Sequence, residues 1–162
     1  MTLPEQSSST ETKADVHLFR TPAEARALAT ELSRLAPNPA AVETGLFELF
    51  INAIEHGNLA IGHIEKRRLL EEDRLLEAIE ARLAAPPYGA RQVRVEVIQT
   101  DKELRFTIRD EGTGFDWKAF EGGPQGTLDE QHGRGIMIAR RLAFSRLDFS
   151  GTGSCVTAAV FL

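Results

Sequence analysis

A chain of 162 residues is the size of one ordinary domain, long enough to bury a core and too short for two. Its 42% hydrophobic and 27% charged residues are those of a globular protein, and no apolar run reaches the roughly 18 residues that a membrane-spanning helix needs. A net charge of -5 argues against nucleic acid as a partner, because phosphate-backbone binders concentrate positive charge. The single cysteine, Cys155, excludes an internal disulfide and any multi-cysteine metal site. No charged-then-apolar signal segment opens the chain, so the cytoplasm is the expected location.

Residues 1–14, rich in Ser, Thr and Glu, read as a disordered leader, with a single domain expected over 15–162. The apolar stretch VHLF at 16–19 is a candidate first strand. Thr21 then starts a helix: threonine as N-cap, Pro22 at the first helical position and Glu24 completing a capping box, with apolar residues through Leu35. Pro37 and Pro39 stop it. A second helix is expected from about Ala40 to Glu55, ending near Gly57 and Asn58, both suited to a helix C-terminus. Residues 63–84 are charge-dense with Leu69, Leu76, Ile79 and Leu83 at helical spacing, which predicts a one-faced amphipathic helix with a break near Asp73, ended by Pro86 and Pro87. The plain reading of this segment packs its leucines on the body and turns its charges to water.

VRVEV at 93–97 and LRFTI at 104–108 alternate with period two around a polar turn, which predicts a hairpin. A glycine-rich stretch follows from Gly112 to Gly135, then a short helix to about Leu142. RLDF and CVTAAVF close the chain as strands joined by SGTGS. Helices and mainly antiparallel strands in this order predict an α/β (α+β) two-layer sandwich: a mixed, mainly antiparallel sheet with helices on one face.

The second helix carries an unusual polar stripe. At 100° per residue Glu48, Asn52, Glu55 and His56 of ELFINAIEHGN share an arc of about 100°, while Leu46, Phe47, Phe50, Ala53 and Ile54 lie on the other side. No Lys or Arg joins the stripe, and Asn is a mediocre helix former. Alone, the pattern reads as a wet helix face.

Three Gly-x-Gly pairs punctuate the second half: Gly112 and Gly114 after Asp110, Gly133 and Gly135 before a helix, and Gly151 and Gly153 in the last hairpin. Each alone is compatible with a tight turn. GRG opening the helix IMIARRLAF leaves free backbone N–H groups and a positive dipole end, an anion seat. A Walker loop would need Gly-Lys-Ser or Gly-Lys-Thr, and a dinucleotide fingerprint would need glycine where Ile138 stands.

Taken in order, Glu48-x-x-x-Asn52, Asp110-x-Gly112-x-Gly114, Gly133-x-Gly135 and the glycine-rich hairpin resemble the ATP site of the GHKL superfamily, which includes gyrase and the histidine kinases. The NAIEHGN and GRGI wording is most similar to the bacterial anti-sigma-factor serine/threonine kinases and related stand-alone histidine-kinase-like ATPases, over about residues 16–162. The resemblance implies the Bergerat ATP-binding fold with ATP and Mg²⁺ bound. Asp110 would accept a hydrogen bond from the exocyclic amino group of adenine, Gly112 and Gly114 would admit the nucleotide, and Gly133, Arg134 and Gly135 would meet the phosphates. Asn52 would be the Mg²⁺ ligand, Glu48 the general base, and Ser154 and Thr157 hydroxyls near the base, although their hairpin departs from the family's Gly-Thr pattern. Residues 115–132 would be an ATP lid, and the helical run 59–92 an insertion longer than the compact anti-sigma kinases carry.

As function, the resemblance implies phosphorylation of an antagonist protein and sequestration of a sigma factor, with no membrane or nucleic-acid partner and a homodimer as an open assembly state. An ATP-dependent partner-switching module without phosphoryl transfer, or a detached histidine-kinase-like catalytic domain, are the alternatives. A complete histidine kinase is not expected, since no helical histidine box precedes the domain and His17 lies in a strand-like context.

Overall fold

A computed structural model of the chain describes residues 14–114, 136 and 139–162. Strand β1 (Asp15–Phe19) leads into α1 (Pro22–Ser33) and α2 (Pro39–Asn52). The capping box at Thr21 forms: Glu24 N–H donates to Thr21 Oγ1 at 3.2 Å and Thr21 N–H to Glu24 Oε2 at 3.0 Å. The Arg20 N–H, donating to Glu24 Oε2 at 2.7 Å, and then the Thr21 N–H hold the Glu24 carboxyl below its ordinary range.

Beyond Asn52 the second helix does not stop at a glycine cap. It widens into a π-helical turn over Ala53–Asn58, with Leu59 N–H reaching back to the Ile54 carbonyl at 2.8 Å. The left-handed residue that turns the chain is Ala60, at φ 53. Gly57 is not among the described positions with positive φ, and its lack of a side chain has another cause, given below.

The charge-dense segment forms two helices, α3 (His63–Glu71) and α4 (Leu75–Leu83), separated at Asp73, whose φ of 54 interrupts the helical path. The interruption resets the helical phase. Leu69 and Ile79 are buried as expected, Leu83 packs partly against the core, and Leu75 does so in place of Leu76, which is 67% exposed.

Five strands form one sheet in the order β1-β2-β3-β5-β4, with β2 (Val93–Gln99), β3 (Glu103–Arg109), β4 (Arg146–Ser150) and β5 (Cys155–Phe161). Every pairing among them is antiparallel. One face of the sheet presents Phe19, Val95, Phe106, Ile108 and Ala158 to the helices, where Leu46, Leu49, Phe50 and Ile54 of the α2 region complete a buried core. Phe19 and Phe50 meet with ring centroids 4.9 Å apart. Burying a side chain of this size contributes about 2–3 kcal/mol, so the α2 contact fixes the stripe-bearing helix against the sheet.

The segment Ala139–Ala143 returns the chain across α2 at Gly45, where an added Cβ would overlap the Ala143 Cβ and lie 2.9 Å from a ring carbon of the following Phe144. The α2 helix is therefore clamped between the sheet and the last helical turn. This places Asn52 beside the C-terminal end of β3, where Asp110 stands.

Candidate functional site

One cavity of about 290 Å³ opens between α2, the chain after it, and the ends of β3 and β5. Leu49, Ala53, Ile108, Ile136, Phe149 and Val156 supply apolar wall, and Asn52, His56, His63, Asp110, Thr113 and Ser154 supply polar groups. That mix, mostly apolar with a few polar groups, is what a small-molecule site needs.

Asp110 follows the last residue of β3 and is anchored from both sides. Its N–H donates to the Ser154 carbonyl at 2.9 Å, and its Oδ1 accepts from Gly112 N–H at 2.8 Å. Burial raises the carboxyl to about 6 against an ordinary 3.8, opposed by the Gly112 hydrogen bond and the Arg91 charge. An acceptor in a partly desolvated, apolar setting selects an N–H donor from the ligand, because leaving the carboxylate unpaired there is costly.

The glycines make this geometry possible. A Cβ on Gly57 would sit 2.7 Å from both Asp110 carboxylate oxygens, and one on Gly112 would overlap the Gly57 peptide. Gly114 adopts φ +83, and a Cβ there would press on the Thr152 carbonyl. The turn after β3 and the turn after α2 thus interlock backbone to backbone, and only glycine allows it.

The predicted site residues fall into distinct groups. Asn52, Asp110, Gly114 and Ser154 line the same cavity. Gly112 lies just behind it, against Gly57. Glu48 is half-buried one helical turn before Asn52 and lies outside the lining. Thr157 follows the cavity-lining Val156 and, by strand alternation, faces the other side of the sheet, in register with Thr107 and Asp148. Gly133, Arg134, Gly135 and the 115–132 segment expected to form a lid lie outside the described residues.

The rest of the helical stripe has a definite setting. Glu55 is 4% exposed and pairs with Lys66 of α3 at 2.6 Å. His56 contacts the Ile61 carbonyl through Nδ1 and lies 3.8 Å from the His63 ring, so both imidazoles border the cavity. Sequence reasoning missed His63, Gly57 and Asn58. Only Gly57, a glycine directly after a polar helix face, carried a readable signal.

A model of the histidine kinase-like ATPase domain matches residues 10–160. The chain belongs to the histidine kinase-like ATPase family. No match is found among curated proteins. Histidine kinase-like ATPase domains bind ATP, usually with Mg²⁺, and the five-stranded antiparallel sheet with its helices is the α+β fold of that family. Among the described residues no helix is long and apolar enough to cross a membrane.

The residues of this histidine kinase-like ATPase domain fit a nucleotide on their own terms. The glycine contact that a Cβ would destroy leaves room for a carboxyl in the cavity lining, and apolar side chains border that carboxyl as the faces of a base require. The Asn52 amide offers a neutral oxygen in the same cavity, a donor type that suits Mg²⁺ when phosphates and water complete its shell.

Proposed function

We propose that this ATPase-family chain is a Mg²⁺-ATP-dependent serine/threonine protein kinase of the anti-sigma-factor type, which phosphorylates an antagonist protein and sequesters a sigma factor. One observation carries the reading: Asn52 and Asp110, from two separate motifs of the set, line one cavity, with Glu48 a single helical turn from Asn52. In this reading the Asp110 carboxylate accepts a hydrogen bond from the adenine amino group, which excludes guanine by repulsion of its 6-oxo oxygen. Ser154 adds a hydroxyl at the same end of the cavity. Asn52 would hold Mg²⁺, which supplies charge neutralisation for the phosphates.

Glu48 takes the proton from the acceptor hydroxyl as its oxygen bonds to the γ-phosphorus and the bond to the β,γ-bridging oxygen breaks. Gly133, Arg134 and Gly135 would hold the phosphates at the start of the following helix. We assign the activity to the cytoplasm, where ATP is supplied.

The position of Glu48 outside the cavity lining favours a second reading, an ATP-dependent partner-switching module that binds nucleotide without transferring phosphoryl. One experiment separates the two. The chain is incubated with γ-labelled ATP and the proteins it captures from its native cell, and acid-stable label on a captured protein is measured. Acid-stable label lost in Glu48→Gln supports the kinase. ATP binding with no label on any captured protein supports the binding module, and acid-labile label marks a detached histidine-kinase-like domain.

A further inference from the structure

Asp110 is not held by its own loop alone. Asn58, 2% exposed, accepts the Glu111 N–H on its side-chain oxygen at 2.7 Å, and Glu111 directly follows Asp110. The Asn58 carbonyl accepts from Arg91 Nη1 at 2.9 Å, and Glu111 Oε2 accepts from Gln92 N–H at 2.6 Å. Because Arg91 and Gln92 are neighbours, these three bonds close a ring around the turn after β3. One residue earlier, Gly57 lies against the Asp110 carboxyl itself. Asn58 therefore fixes both the peptide after Asp110 and the backbone that the carboxyl rests on.

The helical segment after the cavity returns to the same place. Arg82 Nη1 donates to the Leu59 carbonyl at 2.7 Å while its Nη2 holds Glu65 at 2.6 Å. Two guanidinium groups thus grip consecutive carbonyls, Asn58 and Leu59, and both lie over the Tyr88 ring, at 5.7 Å for Arg82 and 5.3 Å for Arg91. We propose that the segment 59–92 buttresses the base end of the nucleotide site, with Asn58 and Arg91 as positioning residues for Asp110.

A role in packing alone does not account for Asn58. Its side-chain nitrogen is buried with no hydrogen-bond partner among the described residues, and an apolar side chain would fill the same space without stranding a donor. The oxygen is what the site uses. Arg91 adds its charge, which draws the neighbouring carboxyl toward the ionised, hydrogen-bond-accepting form.

The inference rests on Asp110 as the adenine acceptor, so Asp110→Asn is measured alongside. ATP affinity of the full chain with Mg²⁺ is taken by calorimetry from about pH 5 to about pH 8, which locates the pH midpoint at which binding is lost. Asn58→Ala should weaken binding about ten-fold at the upper end, the worth of one hydrogen bond at a buried group. Asn58→Asp keeps an acceptor for Glu111 N–H and should restore most of that affinity, with the midpoint moved to higher pH by the added negative charge. Arg91→Gln should also move the midpoint up, an effect that looser packing would not produce. Full affinity in Asn58→Ala with an unmoved midpoint in Arg91→Gln, while Asp110→Asn has lost binding, overturns the buttress alone. If Asn58→Ala does not fold, the Arg91→Gln midpoint decides. Unchanged affinity in Asp110→Asn overturns the proposed function and this inference with it.

Discussion

Gly57 and Asp110 meet so closely that the carboxylate occupies the space a side chain on Gly57 would need: an added Cβ would lie 2.7 Å from both Oδ1 and Oδ2. The contact joins the turn after α2 to the end of β3, and it sets where the acceptor of the cavity stands. The smallest possible enlargement at residue 57 must therefore displace Asp110 or the π turn. Gly57→Ala should weaken ATP binding by at least about ten-fold and lower stability by about 1–3 kcal/mol, the usual range for overpacking. Calorimetric titration and a urea melt read the two effects separately. Parent-like values in both would show that the turn yields at no cost.

Asp110 itself should trade stability for binding. Its carboxyl binds a proton more tightly in the folded chain than in the unfolded one, since burial lifts it from 3.8 to about 6. The folded state therefore holds more protons across that window, and stability falls as pH rises from 3.8 through about 6. Above the window the full cost is present. At about 1.4 kcal/mol per pKa unit the ceiling is about 3 kcal/mol, and the solvent contact of Asp110 reduces it to about 1–2 kcal/mol. Asn at this position keeps an oxygen for Gly112 N–H and carries no charge to desolvate. Asp110→Asn should raise Tm at neutral pH by about 3–6 °C without nucleotide, lose the gain near pH 4, and weaken ATP binding about 10–100-fold. A lower Tm at neutral pH would contradict the desolvation account.

The same property predicts the pH profile of the unaltered protein. Binding through the adenine amino group needs the ionised carboxylate, so ATP affinity should be flat above about pH 7 and fall about ten-fold per unit well below pH 6. Calorimetry across the range checks it against Asp110→Asn, whose residual binding should lack that inflection. A common profile in both proteins would remove Asp110 as the titrating group.

How much of this could be read beforehand divides along a physical line. Asn52 and Asp110 are named through the family resemblance, whose motifs are local to one helix and one strand end, and both line one cavity. The strands and the capping box at Thr21 were legible because their signals are local. The roles of Gly57 and Asn58 are less so, because they exist only once β3 approaches α2; along the chain both look like a helix stop, and the glycine directly after a polar face is the one hint. Leu76 was placed on the wrong face because a left-handed residue at Asp73 shifts the helical phase, which periodicity across the whole segment hides. The family resemblance pairs Thr157 with Ser154 as hydroxyls near the base, whereas strand parity turns Thr157 to the other face of the sheet. That parity is blurred in β5, where Ala158 and Ala159 are both buried on opposite faces.

Glu48 is the residue on which kinase and binding module part. It stands half-buried on the helix that presents Asn52, and among the cavity-lining residues it has no place. Removing its basicity without its shape should leave ATP affinity within about two-fold. If it is the general base, Glu48→Gln should lower phosphoryl transfer to the acceptor protein by about 10²–10⁴-fold. The paired measurement is single-turnover transfer with saturating ATP, alongside calorimetric binding. Transfer at the parent rate would remove Glu48 as the base and leave the hydroxyl proton to another group.

Glu55 gives the last expectation, one of stability. Its carboxylate is almost fully buried and is held by Lys66, a residue of α3, at 2.6 Å. Removing the cation leaves a buried negative charge without its partner, a loss of about 3–5 kcal/mol for fully enclosed pairs. Lys66 keeps some contact with water, with 28% of its side chain exposed, so Lys66→Met should cost about 1–3 kcal/mol at neutral pH. Glu55→Gln in the Lys66→Met background should recover most of it, since a neutral amide needs no counter-charge. Urea denaturation of the parent and the two variants at neutral pH measures this coupling. Equal losses in the single and double variants would show that the pair contributes packing and no charge balance.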